Sequence, residues 1–124
     1  MIAADTSSLS AYLKGEFGPD VEQLATAIAA GDLVLPPVVV TEILTDPATA
    51  LLIDTAIRNI ATLEVTAGYW VRAGLIRRAL RSGGAKAKVA DALIAQSCID
   101  QAVALIPRDA GFRHFATHCG LRLA

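Results

Sequence analysis

The apolar residues of this chain fall in short runs, each cut off by a turn residue or an acid and separated by segments of helical length. Met1 to Ala4, Leu33 to Leu35, Ala61 to Val65 and Ala102 to Ile106 read as strands, and Leu121 to Ala124 as a possible edge strand. Helical spacing fills the intervals. Asp5 with Thr6-Ser7-Ser8 caps a helix from Leu9 to about Lys14, which Gly15 and Gly18-Pro19 end. Asp20 caps a second helix, with Val21, Leu24, Ala25 and Ile28 on its periodic face and Gly31 closing it. Pro36-Pro37 opens a third over Val38 to Leu44, and Asp46-Pro47 a fourth to about Asn59, with Leu51, Leu52, Ala56 and Ile57 facing inward. A long helix from Thr66 to Arg81 carries Tyr69, Ala73, Ile76 and Leu80 on one stripe; a largely buried helix from Lys86 to Gln101 and a last one from Phe112 to His118 follow. Short apolar strands alternating with helices predict an α/β fold: a mainly parallel sheet of four or five short strands with helices on both faces.

A length of 124 residues suits a single domain, 1–124, and 54% hydrophobic with 19% charged residues excludes a disordered chain. No run approaches the ~20 apolar residues of a membrane span. The start has no basic stretch leading into an apolar one, so no secretory signal is read and the expected compartment is the cytoplasm. Cys98 and Cys119 form no C-x-x-C motif or disulfide framework and are expected as small core residues.

Four acids interrupt this apolar pattern: Asp5 after MIAA, Glu42 inside VVVTEIL, Asp91 in KVADALIAQ, and Asp109 two residues past Pro107. Carboxylates among apolar neighbours are costly unless a positive group lies between them. Each has an ordinary explanation alone, since Asp5 can cap a helix, Asp91 can favour a helix start and Asp109 can initiate a turn. Together they suit Mg²⁺ or Mn²⁺, hard ions that take carboxylate oxygens and keep several waters. Ser7 is placed to hold a carboxylate or a metal-bound water, or simply to cap the helix. Ligands in such folds sit at the carboxyl ends of the strands, where Asp5 and Asp109 fall.

The net charge of −1 points to no partner, but its distribution does: between Val65 and Ala90 there is no acid, while Arg72, Arg77, Arg78, Arg81, Lys86 and Lys88 all occur. This is either a solvated helix face or a strip that contacts RNA phosphates, with Arg77, Arg81, Lys86 and Lys88 as its candidates. His114 and His118 have the spacing of a zinc pair beside Cys119 but lack the glutamate of H-E-x-x-H. Tyr69 and Trp70 suit either core or dimer contacts, or base stacking.

In this order the residues resemble the PIN-domain nucleases, and among them the small toxins of the VapC type. The resemblance rests on D-T-S-S at Asp5 to Ser8, V-T-E-I-L around Glu42, D-A-L-I-A from Asp91 and R-D-A-G-F with Asp109 and Phe112. It implies a three-layer α/β/α domain and a Mg²⁺- or Mn²⁺-dependent endoribonuclease. Asp5, Glu42 and Asp91 would hold the metal, with Asp109 as a supporting member. It further implies a homodimer, a cognate antitoxin as protein partner and RNA as substrate. Pro107 stands where the family often has Thr or Ser, and Gly111-Phe112 where it often has another acid, which puts a second metal ion in doubt. A PIN-like module that binds RNA or protein without cutting is the alternative. A phosphate-accepting receiver domain would need paired acids after the first strand and a lysine after the last, which this chain lacks.

Overall fold

In the computed structural model, residues 1–53 and 59–124 are described. Strand β1 (Ile2–Ala4) leads through α1 (Thr6–Leu13) and α2 (Pro19–Ala29) to β2 (Leu33–Leu35). Helices α3 (Pro37–Thr45) and α4 (Pro47–Ile53) precede β3 (Ala61–Thr62), and α5 (Tyr69–Ser82) and α6 (Val89–Asp100) precede β4 (Ala104–Ile106). Helix α7 (Phe112–Cys119) ends the described elements. The four strands form one sheet in the order β3-β2-β1-β4, every neighbouring pair parallel. Ile2 pairs with both Leu33 and Ala104, so β1 is central. The expected edge strand at the C-terminus is reduced to one parallel bridge between Leu105 and Leu123.

This order has a consequence for function. From β1 the chain steps outward to β2 and β3, then crosses to the other side of β1 to add β4. Such a reversal opens a crevice at the carboxyl ends of the two strands that flank it, here β1 and β4. Helices α5, α6 and α7 pack with one another, while α1 packs on α2 and α3. Contact between α3 and α6 joins the two groups.

Local chemistry accounts for most helix starts. Asp5 is the cap of α1, which therefore begins at Thr6 and not at Leu9. Pro19 occupies the first turn of α2, with Gly18 as the cap; Asp20, expected as that cap, instead places its carboxylate in the first turn, where the helix dipole favours it. Pro37 opens α3 in the same way. Gly68, at φ 79°, lets the chain turn into α5, so that helix starts at Tyr69 rather than Thr66.

The core is built from Leu9, Leu24, Leu35, Val39, Ile43, Ile53, Ile94, Leu105, Ile106, Phe112 and Phe115, all fully buried. Each contributes roughly 1.5–3 kcal/mol by leaving water. The stripe Tyr69, Ala73 and Leu80 is buried as expected, and Cys98 is a core residue whose thiol burial pushes up to about 12. Two expectations fail on α4 and one on α2. Leu51 is 87% exposed and Leu52 half-exposed; Thr49 and Ile53 face the core instead. Thr49 tolerates burial because its hydroxyl donates to the Ile43 carbonyl at 2.8 Å. On α2, Ala27 is buried in place of Ala25. The expected continuation of α4, including Ala56 and Ile57, lies outside the described residues. Among the described residues no helix is long and apolar enough to cross a membrane.

Candidate active site

Asp5 follows β1 directly and is 1% exposed. Its N–H donates to the Ile106 carbonyl at 3.3 Å, which fixes it against the end of β4. Burying this carboxylate requires donors, and the surrounding chain supplies them. Oδ1 accepts the Ser8 N–H at 2.7 Å, and Oδ2 accepts the Ser7 hydroxyl at 2.9 Å and the Arg108 N–H at 3.2 Å. The cap of α1 and the acid of the crevice are thus the same group, which reconciles two readings that seemed to compete. An ionised carboxylate offers about four acceptor positions, so these three bonds leave it able to take another partner.

The remaining acids reach the same place from other elements. Glu42, half-buried on α3, accepts the Thr6 hydroxyl at 2.6 Å across 36 residues of sequence. Asp91 lies in the first turn of α6. Asp109 lies on the loop after β4, and its Oδ1 accepts the Gly111 N–H at 2.8 Å, closing the turn that leads into α7. Asp5, Glu42, Asp91 and Asp109 all line one cavity of about 310 Å³, with Ser7, Thr6 and Lys88 beside them.

The electrostatics reflect this crowding. Asp91 is pushed up to about 6, first by burial and then by the charge of Asp109, with smaller contributions from Asp5 and Glu42; Lys88 opposes the rise. A helix N-terminus ordinarily favours an anion, so the rise occurs against the dipole of α6. Lys88 is the one cation lining the cavity against four carboxylates, which leaves the cavity short of positive charge.

A hard divalent cation fits that deficit, since the donors are carboxylate and hydroxyl oxygens. Gly111 leaves room for one: a Cβ there would meet Asp109 Oδ1 at 3.2 Å and Asp91 Oδ2 at 3.6 Å, so the two carboxylates face a shared gap. The side chains nevertheless do not form a finished coordination shell. Among the described residues, no three acidic, histidine or cysteine side chains stand close enough together to hold one ion as placed. Each of Asp5, Glu42 and Asp109 is turned toward a donor of the chain instead. The donor set and its charge would suit a hard divalent cation, which Asp5, Glu42, Asp91 and Asp109 would hold.

The basic candidates separate. Lys88 lines the acid cavity itself, whereas Arg77 and Arg81 line a different hollow on α5, of about 400 Å³, together with Arg78. The two are joined through the backbone, because Arg77 Nε donates to the Ala87 carbonyl at 2.9 Å. Lys86 is exposed on the turn between α5 and α6. Arg72, from the same basic run, is occupied by Asp100. Tyr69 is core, its hydroxyl donating to the Leu93 carbonyl, while Trp70 is exposed. His118 and Cys119 line a separate hollow next to Leu80. Sequence reasoning passed over Thr6 and the Arg108 N–H. Thr6 carried a signal in D-T-S-S but was read only as a cap; a backbone donor carries none.

A family model described as PIN domain matches residues 2–117. The chain belongs to the PIN domain family. Among solved structures it is similar to a chain of VapBC2 from Rickettsia felis bound to a DNA fragment from their promoter, with a TM-score of 0.78 and 16% identity over 100% of this chain and 98% of that one. It is also similar to a chain of FitAcB from Neisseria gonorrhoeae, with a TM-score of 0.70 and 20% identity over 99% and 96%. At these identities the likeness is one of fold. No curated protein matches the sequence.

Proposed function

We propose that this chain is a Mg²⁺- or Mn²⁺-dependent endoribonuclease of a single domain, 1–124, and the toxin of a toxin-antitoxin pair. The carrying observation is that four carboxylates from separate segments line one cavity, with Asp91 raised to about 6. When bound, a divalent ion supplies an acidified water, orients the phosphodiester and offsets charge on the leaving oxygen. Asp5, Asp91, Glu42 and Asp109 would hold it. Ser7 and Ser8 keep Asp5 turned to the cavity, Thr6 restrains Glu42, and the Gly111 N–H restrains Asp109. Lys88 is the cation on the cavity wall that would meet a phosphate oxygen, and Arg77, Arg81 and Lys86 extend positive charge outward for the RNA backbone. A cognate antitoxin as partner follows from the family resemblance, and the likeness to the chains in VapBC2 and FitAcB supports it. Exposed Trp70, Val71 and Leu75 on α5 offer an apolar face for a homodimer, and the proposed compartment is the cytoplasm.

The test is cleavage of a structured RNA by the purified protein with Mg²⁺, Mn²⁺ or a chelator. Cleavage requires the ion, and Asp5→Asn abolishes it while the fold is retained; equal cleavage by the variant would assign the activity elsewhere. The alternative is a PIN-like module that binds RNA or protein without cutting. Folded protein that binds RNA but never cuts it under any ion would establish that reading. Replacing both Arg77 and Arg81 by Ala should weaken RNA binding and reduce the salt slope by about 1–2.

A further inference from the structure

Phe17 is 92% exposed, the most solvent-exposed of the large hydrophobic side chains among the described residues. It stands on the short connection between α1 and α2, Gly15-Glu16-Phe17-Gly18, whose two glycines have φ of 73° and 151°. An exposed aromatic on a loose loop would mean little, but this loop is held. The Arg108 guanidinium lies 3.2 Å from Asp20 Oδ2 and 3.8 Å from Glu16 Oε2, spanning both sides of Phe17. The backbone N–H of the same Arg108 donates to Asp5 Oδ2. One residue therefore ties the Phe17 loop to the buried acid of the cavity. The Gly18 backbone packs closely on this clamp: a Cβ there would meet Asp20 Oδ1 at 2.6 Å and Arg108 Nη1 at 3.7 Å.

We propose that Phe17, tied through Arg108 to the acid of the cavity, is a stacking platform for an unpaired nucleobase of the RNA. This rests on the ribonuclease reading above. The local chain favours a base over a protein side chain, because protein docking sites are contiguous apolar patches, whereas the neighbours of Phe17 in sequence are Gly15, Glu16, Gly18 and Asp20, with Arg108 bridging the two acids. A single aromatic face in a polar frame is how proteins take up one splayed base. The contact is with the base and not the backbone, since Arg108 is already engaged by two carboxylates and offers little charge to a phosphate. Its contribution should accordingly be insensitive to salt, unlike that of Arg77 and Arg81.

Binding of a fluorescent single-stranded RNA is measured across a salt series on full-length protein carrying Asp91→Asn to prevent turnover. Adding Phe17→Ala weakens binding by about tenfold or more, the scale of one aromatic stack, with the salt slope unchanged. Phe17→Tyr and Phe17→Trp retain affinity, and RNA quenches the emission of the introduced tryptophan; Phe17→Leu loses affinity although it keeps apolar bulk. Affinity retained by Leu, or by Ala, overturns the inference and leaves Phe17 to a protein partner. If the protein without substitutions neither binds nor cuts RNA, the ribonuclease reading falls and this inference with it; if it does both while Phe17→Ala binds equally well, only the stacking role falls.

Discussion

Helix α6 carries an aspartate near each end, and the two live in opposite surroundings. Asp100 is bound by Arg72 through Nε at 3.0 Å and Nη2 at 2.7 Å and accepts the Gln96 amide at 2.7 Å; this pairing with Arg72 holds its carboxyl below the usual range. Asp91 is half-buried, faces three other acids with Lys88 opposing them, and is raised to about 6, first by burial and then by Asp109. The helix dipole disfavours an anion at the end where Asp100 sits and favours one where Asp91 sits, so in both cases side-chain surroundings outweigh it. An acid that stabilises a fold is supplied with its counter-charge by the chain. Asp91 has only Lys88 set against three other acids, the arrangement expected under the proposed metal-holding role.

The sharpest way to break this contrast is catalysis. Asp91→Asn should lower RNA cleavage by more than the about 10- to 100-fold typical of groups that merely support a metal ligand. Asp100→Asn should change it by no more than a few fold. Similar losses in both would mean that Asp91 acts through the fold alone.

Stability should show the reverse. Removing the charge of Asp100 leaves the part-buried Arg72 and Gln96 donors without their charged acceptor, so Asp100→Asn should melt a few degrees below the parent. For Asp91 the folded value of about 6 lies above the ordinary carboxyl value of 3.8. Its neutral form is the one the fold favours, so its contribution is complete below pH 4 and is lost as pH rises through about 6. Without metal, Asp91→Asn should therefore equal the parent near pH 4 and exceed it at pH 8 by about 1–3 kcal/mol. Adding Mn²⁺ should raise the parent's melting temperature and close that gap. Asp100, being depressed, contributes above its ordinary value and is lost only as pH falls below about 4, so the Asp100→Asn deficit should shrink on the acid side. Melting curves from about pH 2 to 8 separate the two.

The contrast between Asp91 and Asp100 was only half legible in the sequence. Asp91 stood out because VADALIA surrounds it with apolar residues, and β1, β2 and β4 were legible as short apolar runs bounded by turn residues; β3, expected over Ala61 to Val65, forms only at Ala61–Thr62, where both residues are exposed. The partner of Asp100 was not, because Arg72 belongs to a run of cations that reads as one strip. Folding divides that run among an ion pair, the α5 hollow and the acid cavity. The Thr6–Glu42 bond spans 36 residues and leaves no periodic trace. On α4, apolar Leu51 and Leu52 are exposed while Thr49 is buried, since a hydroxyl that bonds its own chain can pass for an apolar group. Hydrophobic periodicity reports which face turns inward only when polar residues stay polar.

The smallest predicted effect concerns the space between the acids. Gly111 has φ of −59°, open to any residue, so alanine there carries no backbone strain and should stabilise by about 0.4–1 kcal/mol through the unfolded chain. Its Cβ would nonetheless press on Asp109 Oδ1 at 3.2 Å and approach Asp91 Oδ2 at 3.6 Å. Either the carboxylates shift by a few tenths of an ångström or the gap between them narrows, and both outcomes work against an ion held there. Gly111→Ala should therefore melt slightly higher than the parent without metal and bind Mn²⁺ a few fold more weakly, as read by calorimetric titration. Unchanged Mn²⁺ affinity would show that the gap between Asp91 and Asp109 is not where the ion sits. The uncompensated charge of Asp91 would then need a different explanation from a bound cation.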